Sequence, residues 1–236
     1  MPANPQPLYK QVREDLTARI ADGIWKAGAV LPSEQDLAAE LAVSPGTVRK
    51  AMNDMAADNL LVRQQGRGTF VAEHTEERAL FHFFRMEDAN GTPVTPQPLD
   101  QSVELVAPPR DIARALDSDR RRVWKIARLR GVGGDPAIVE HIYVDPRRMP
   151  ALTADTELPN ALYSYYQVRA GLTVAQAQDR LTAVAAEPWL ARALGVKAGH
   201  PLLAARRRAL GIRDDVIEIR DTWFRTEIQG YAITLR

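Results

Sequence analysis

The stretch from Leu31 to Val71, LPSEQDLAAELAVSPGTVRKAMNDMAADNLLVRQQGRGTFV, constrains this chain more than any other. Ser33 stands just before an apolar periodic run, with Asp36 three residues on. Its hydroxyl can accept from an orphan amide, and the acid suits the first turn of a helix. Leu37, Ala38 and Leu41 form that helix's apolar face. After Ala42-Val43 a second start follows at Ser44, with Pro45 at the first helical position, where a missing N–H costs nothing. Val48, Ala51, Met52, Met55 and Ala56 recur at helical spacing and face inward, leaving Gly46, Thr47, Arg49, Lys50 and Asn53 on the other side. Two short helices across a tight turn make a helix-turn-helix, whose second helix is placed to enter a DNA groove.

Leu60-Leu61-Val62 and Gly68-Thr69-Phe70-Val71 read as paired strands around a donor-rich tip, Arg63-Gln64-Gln65-Gly66-Arg67. That is the wing of a winged helix, in which glycines let the backbone approach a phosphate and Arg67 reaches a groove or the backbone. A helix-turn-helix by itself is a weak signal of DNA binding. Here, however, Arg49, Lys50, Arg63 and Arg67 all fall on the proposed reading surface. The net charge of the whole chain is only +1, so attraction to DNA has to come from such a local patch.

The patterns PSE-x-x-L-A-x-x-L, S-x-x-T-V-R-x-A and G-x-G-T-F-V resemble the winged-helix domain of GntR-type bacterial transcription regulators. They are carried by Pro32-Ser33-Glu34, Leu37-Ala38, Leu41, Ser44, Thr47-Val48-Arg49, Ala51, Gly66, Gly68 and Thr69-Phe70-Val71. Gln35 and Pro45 stand where the family often has arginine, so the operator sequence does not carry over. The DNA-binding set implied is Ser33, Glu34, Ser44, Gly46, Thr47, Arg49, Lys50, Gln65, Gly66, Arg67 and Gly68.

Ahead of this head, Leu8, Val12, Leu16 and Ile20 make one helical stripe that supports it, with Tyr9 beside the stripe and Trp25 packed beneath. Behind it, Ala72 to Arg78 is polar and aperiodic, so residues 1–73 are expected to form the winged helix, 74–79 a linker and 80–236 a second domain. The chain has no cysteine, which excludes disulfides and thiolate metal sites and fits a reducing cytoplasm. No run approaches the roughly 18 apolar residues that span a bilayer, and the N-terminus lacks a secretion signal. The four histidines, His74, His82, His141 and His200, lack ligand spacing, so neither metal nor cofactor is expected.

From Ala79 short segments of strand character alternate with Pro/Gly breaks. Strands are predicted over 80–86, 102–106, 123–132, 137–144, 172–185, 202–212, 216–224 and 230–235, and helices over 110–116, 158–170 and 188–194. The fold class is therefore α+β: an N-terminal winged helix-turn-helix followed by a C-terminal antiparallel-sheet domain. This half resembles the ligand-binding domain of the HutC-type branch of the same regulators, similar in fold to chorismate lyase. The resemblance is carried by Arg128-Leu129-Arg130, Pro136, Glu140, Tyr143, Leu162-Tyr163, Gly171, Leu194-Gly195, Gly199, Pro201-Leu202-Leu203, Arg207 and Glu218.

Arg128 and Arg130 are two apart on a strand, so both guanidiniums point to one face about 7 Å apart. Two arginines facing a cavity can clamp a carboxylate or phosphate, although Arg-x-Arg on a strand is commonly just an exposed face. The resemblance selects the clamp. It also implies that Glu140 and Glu218 take hydroxyl or amine groups of the same ligand, that Phe224 lines the pocket, and that His82, Phe83, Phe84 and Arg85 rim it. Tyr163, Tyr165 and Tyr166 read first as helix packing, with Tyr163 carried in the effector set as well. Relatives that bind phosphate-sugars have serine where this chain has Ala161, so a carboxylate-bearing metabolite fits at least as well. Arg120-Arg121-Arg122 and Arg206-Arg207-Arg208 read as solvated or salt-bridged strand faces.

Arginines and Glu140 share a face only in one of two strand parities. Pro136 cannot donate to a ladder, which favours an odd loop over Gly133-Gly134-Asp135 and sets an arginine opposite Glu140. The reading as a whole is a ligand-responsive DNA-binding regulator: a homodimer on double-stranded operator DNA, acting as a repressor, with a small anionic effector. A small lyase using the same pocket is the alternative. Against it stand the reading head and the lack of a nucleophile–base motif. A constitutive architectural DNA binder would need no pocket at all.

Overall fold

The computed structural model describes residues 6–73, 86–118, 121–227 and 229–233. They form two compact units, one from the N-terminal residues and one built largely from residue 86 onward. The strand predicted over 80–86 and the rim residues His82, Phe83, Phe84 and Arg85 lie almost wholly outside the described residues, as does the linker.

The first unit runs α1 (Leu8–Ala21), α2 (Glu34–Glu40), α3 (Pro45–Ala57), β1 (Leu61–Gln64) and β2 (Gly68–Val71). Both predicted helix starts are present. Ser33 accepts from the Asp36 amide while Asp36 accepts from the Ser33 amide, a reciprocal cap, and Ser44 accepts from the Thr47 amide with Pro45 in the first turn. Val12, Leu16, Ile20, Leu37, Val48, Ala51, Met52 and Met55 are buried together. Leu8 departs from the expected stripe. It is 59% exposed, and the buried part of the stripe is Val12, Leu16 and Ile20. The wing pairs Leu61 with Val71 and Gln64 with Gly68, and Val30 bridges Phe70 on its outer side.

The second unit is built on a six-stranded sheet in the order β4-β5-β6-β9-β8-β7, where β4 is Gln97–Val106, β5 Val123–Val132, β6 Asp135–Val144, β7 Val174–Ala185, β8 Pro201–Gly211 and β9 Val216–Phe224. The β4–β5, β5–β6, β6–β9 and β8–β9 pairings are antiparallel, and β3 (Met86–Asp88) pairs with β10 (Gln229–Tyr231) as a separate ribbon. One face is covered by α4 (Arg110–Ala115), through Ile112, Tyr143 and Ile219, and by α6 (Pro188–Leu194), through Leu190, Leu194 and Val139. The other face meets α5 (Leu162–Ala170), whose Tyr163 and Tyr166 pack with Ile126, Ile142 and Val144. Further along that face, Met86, Ile138, Ala205, Phe224 and Tyr231 form a second apolar cluster.

Two sequence expectations are corrected here. The helix predicted over 158–170 starts only at Leu162, since Pro159 disfavours helical backbone before it and the Asn160 carbonyl accepts from Arg128 instead. The β5–β6 loop is not odd. Val132 faces Asp135 across a two-residue turn at Gly133 and Gly134, with φ of 62° and 92°, the left-handed backbone such a turn requires. The parity comes from a bulge between Arg130 and Gly131, after which Gly131 faces Pro136 while Arg128 still faces Glu140. Pro136 thus sits beside the interruption, where its missing N–H is least felt.

The bulge leaves no room at Gly131: a Cβ there would lie 2.7 Å from Leu99 Cδ1 and 2.8 Å from the Asp135 carbonyl oxygen. The backbone oxygen cannot swing aside. Gly131→Ala is therefore expected to cost about 1–3 kcal/mol through overpacking, seen as a lower urea midpoint at unchanged slope.

Candidate nucleic-acid interface and effector site

Arg49, Lys50, Gln65, Gly66, Arg67 and Gly68 are exposed on one winged-helix unit, as are Ser33, Ser44 and Gly46, with Glu34 and Thr47 half-buried. Ser33 and Ser44 are committed to capping, and the Ser44 and Thr47 hydroxyls lie 2.9 Å apart. Lys50 holds its ammonium 3.9 Å from the centre of the Tyr9 ring, and Gly66 and Gly68 take φ of 72° and 114° at the wing tip. The sequence did not show how the arginines are held. Glu34 receives Arg49 Nε on Oε2 at 2.7 Å and Arg63 Nη2 on Oε1 at 3.0 Å. Partial burial works against its charge, and the two guanidiniums outweigh this and lower its pKa. One carboxylate thus ties the reading helix to the wing and sets where both guanidiniums point.

In the second unit, alternation along β5, β6, β8 and β9 places Arg128, Arg130, Glu140, Glu218, Arg220, Phe224 and Arg207 on a single face, between the two apolar clusters. Arg128, Arg130 and Glu140 are 2%, 1% and 1% exposed. Glu140 Oε1 accepts from Arg220 Nη1 at 3.0 Å, while Oε2 lies 3.7 Å from Arg130 Nη1 and 4.0 Å from Arg128 Nε, and makes no hydrogen bond among the described residues. Burial opposes ionisation of Glu140. Arg220, Arg130 and Arg128 together overcome it and hold the pKa at about 2. Burial pulls Arg130 down to about 10 against the attraction of Glu140, and lowers Arg128 likewise.

Glu218 differs from its expected role. It is fully buried, and its oxygens already accept from Arg220, from the Tyr163 hydroxyl at 3.0 Å and from the Tyr166 hydroxyl at 2.8 Å. It supports Arg220 and offers no free lone-pair edge to a ligand. Tyr163 belongs to this support, with Arg220 stacked 5.3 Å from its ring centre. Of the two readings of 206–208, solvated or salt-bridged, the structure shows the salt-bridged one: Arg207 is buried and held by both oxygens of Asp179 at 2.7 Å, while Arg206 stays outside on Asp221 and Asp111. Phe224 lies on the arginine face but is 5% exposed and packs edge-on against Tyr231.

Two residues of the site were not read from the sequence, Arg220 and Asn160. Arg220 was legible in principle, since it falls two residues from Glu218 on a predicted strand. Asn160 gave no signal. It lies in the loop before α5, where its carbonyl accepts from Arg128 Nη1 and Nη2 at 3.2 Å each and its Oδ1 accepts from Arg130 Nη2 at 2.8 Å. Among the described residues of this face, four guanidiniums (Arg128, Arg130, Arg207, Arg220) meet three carboxylates (Glu140, Glu218, Asp179). Among the described residues the arginine pair thus sits in a buried place where guanidiniums outnumber carboxylates.

Residues 8–71 match the family described as bacterial regulatory proteins, gntR family, and residues 101–228 match the UTRA domain. The chain belongs to the GntR family of bacterial transcription regulators. It is 31% identical to the HTH-type transcriptional regulator SmoD of Agrobacterium fabrum over 98% of this chain and 97% of that protein. It is 33% identical to the histidine utilization repressor of Pseudomonas putida over 93% of this chain and 89% of that one. Among solved structures, the ligand-binding domain of a GntR-family regulator from Bordetella bronchiseptica aligns with 66% of this chain and 98% of its own, at a TM-score of 0.59 and 25% identity. PhnF from Mycobacterium smegmatis shares the fold over 95% of this chain and 99% of its own, at a TM-score of 0.52 and 22% identity. This GntR-type chain is thus a transcription regulator of the HutC-like branch, with a winged helix and a UTRA effector-binding domain. No helix among the described residues is long and apolar enough to cross a membrane.

Removing the Glu140 charge would leave three buried guanidiniums facing one another, so Glu140→Gln is expected to cost about 3–5 kcal/mol. The pH dependence has a definite sign. The folded pKa of about 2 lies below the ordinary 4.5, so this carboxylate's contribution is complete above about pH 4.5 and drains away as pH falls toward 2. Thermal unfolding of wild type and Glu140→Gln between pH 2 and pH 5 tests this: the gap between the two should shrink as pH falls, and a constant gap would disprove the assignment.

Proposed function

We propose that this regulator is a repressor that binds a palindromic operator as a homodimer in the cytoplasm and is released by a small metabolite bearing a carboxylate or phosphate. The observation that carries the effector class is the buried Arg128–Arg130 pair, which among the described residues meets neutral carbonyl and amide oxygens and one glutamate shared with Arg220. Desolvated guanidiniums are stabilised by an added anion, and their planar forks match its oxygens. Glu140 remains the group in this site that can accept from a ligand hydroxyl or amine. Repressor action is supported by relatives named as repressors of histidine utilization and of a fructoselysine utilization operon. In this reading residues 1–73 bind DNA, 74–79 link, and 80–236 bind effector and dimerise.

One winged helix reads too few base pairs for genomic specificity, so two heads act together. The second unit offers an edge for pairing: β7 ends the sheet, and most of its 12 residues are exposed. An uncovered strand edge is a template for pairing with another chain. Sedimentation at micromolar concentration should show a dimer, free and on DNA; a monomer in both would sink the proposal. On operator DNA, Arg49→Ala is expected to cost about 1–3 kcal/mol if it reads a base, and Arg67→Ala to reduce the salt slope by about 1 if it holds a phosphate. Wild-type affinity and salt slope in the double variant would remove the reading head. Gel-shift titration with a panel of carboxylates and phosphate esters tests release, and no anion shifting operator affinity would remove the switch.

A further inference from the structure

The donors that the proposed function gives to an anion are occupied by Asn160. Arg128 directs both terminal nitrogens to the Asn160 carbonyl, and Nη2 also lies 3.4 Å from Oδ1. Arg130 donates to the same Oδ1 at 2.8 Å, and Asn160 Nδ2 donates to the Pro96 carbonyl at 3.0 Å. Two oxygens of one residue thus bridge two guanidiniums, which is the geometry of a bound carboxylate made with neutral acceptors. A charge-assisted hydrogen bond is roughly twice as strong as a neutral one. An oxyanion therefore gains by replacing Asn160, whereas a neutral alcohol or amide only exchanges like for like. The backbone around Asn160 is suited to displacement. It lies between Pro159 and Ala161, outside any helix or strand, and no side chain caps the start of α5.

We infer that Asn160 is a resident stand-in for the effector, a specificity-determining latch that admits anions over neutral ligands and passes site occupancy to the segment leading into α5. This rests on the reading of Arg128 and Arg130 as the effector clamp. The test is isothermal titration of the full chain with inorganic phosphate and, separately, acetate. The proteins are wild type, Asn160→Ala, Asn160→Asp and, as a control on the clamp, Arg128→Gln. Asn160→Ala removes the Oδ1 acceptor and leaves the backbone carbonyl in place, so it should bind an oxyanion about tenfold more tightly, the equivalent of one hydrogen bond. Asn160→Asp places a carboxylate on the same donors, so binding should weaken by at least about tenfold. Its second carboxylate oxygen would face the Pro96 carbonyl that Nδ2 contacts in the wild type, so its melting temperature serves only to check that it folds. Oxyanion binding that depends on Arg128 but is the same in both Asn160 variants and wild type would overturn the latch and leave the clamp standing. Binding that is absent throughout, or unchanged in Arg128→Gln, would overturn the clamp and the latch with it. Should Arg128→Gln fail to fold, Arg128→Lys takes its place as the control on the clamp, since an ammonium cannot reproduce the planar fork.

Discussion

One carboxylate in the middle of a sheet, Glu140, determines what the effector half of this regulator can be. It hydrogen-bonds Arg220 and sits within 4.0 Å of both Arg128 and Arg130, all in surroundings from which water is largely excluded. Such a group is costly to bury and more costly to lose, because its removal abandons the cations that surround it. Three strands must hold their register for the contact to exist: Arg128 faces Glu140, and Glu140 faces Thr222 beside Arg220. The bulge at Arg130/Gly131 and the glycine turn beyond it are the local devices that keep this parity.

Around that centre the support is layered by distance from the clamp. Glu218 fixes Arg220, and Tyr163 and Tyr166 from α5 fix Glu218. Burial raises the pKa of both tyrosines, so their hydroxyls remain donors at any ordinary pH. Farther out, Arg207 and Tyr231 converge on Asp179 of the edge strand β7. Every carboxylate in this series except Glu140 has its oxygens fully engaged. Among the described residues of this series, the acidic oxygen without a hydrogen bond is Glu140 Oε2, and it lies against the arginine pair.

Much of this was legible in the residues, and the parts that were not share a cause. Period-two alternation on β5 was enough to put Arg128 and Arg130 on one face, and cap chemistry at Ser33 and Ser44 fixed two helix starts. The conclusion about Glu140 held although its route did not: a loop-length argument assigned the parity to the turn, and the chain makes the correction inside the strand, where Gly131 has no side chain to resist it. Glu218 was misjudged because its partners come from a helix more than 50 residues away, and nothing in local sequence reports that both oxygens are taken. Asn160 escaped for the same reason in sharper form. Its role depends on a loop carbonyl lying over a strand 30 or so residues earlier, a contact with no period and no motif.

The two units use the same chemistry in opposite dielectric settings. In the head, Arg49 and Arg63 rest on Glu34 while remaining 63% and 42% exposed. Water and salt screen that pair, so an exchange of its partners costs little. In the effector domain, Arg128 and Arg130 rest on Asn160 and Glu140 at 2% exposure or less. There an exchange of partners is barely screened by salt, and each hydrogen bond counts for more. A regulator benefits from that division. Exposed ion pairs of this kind stay weak enough singly to be reversible. A ligand exchanged onto such buried bonds can bias a conformational equilibrium only by its differential affinity for the two states.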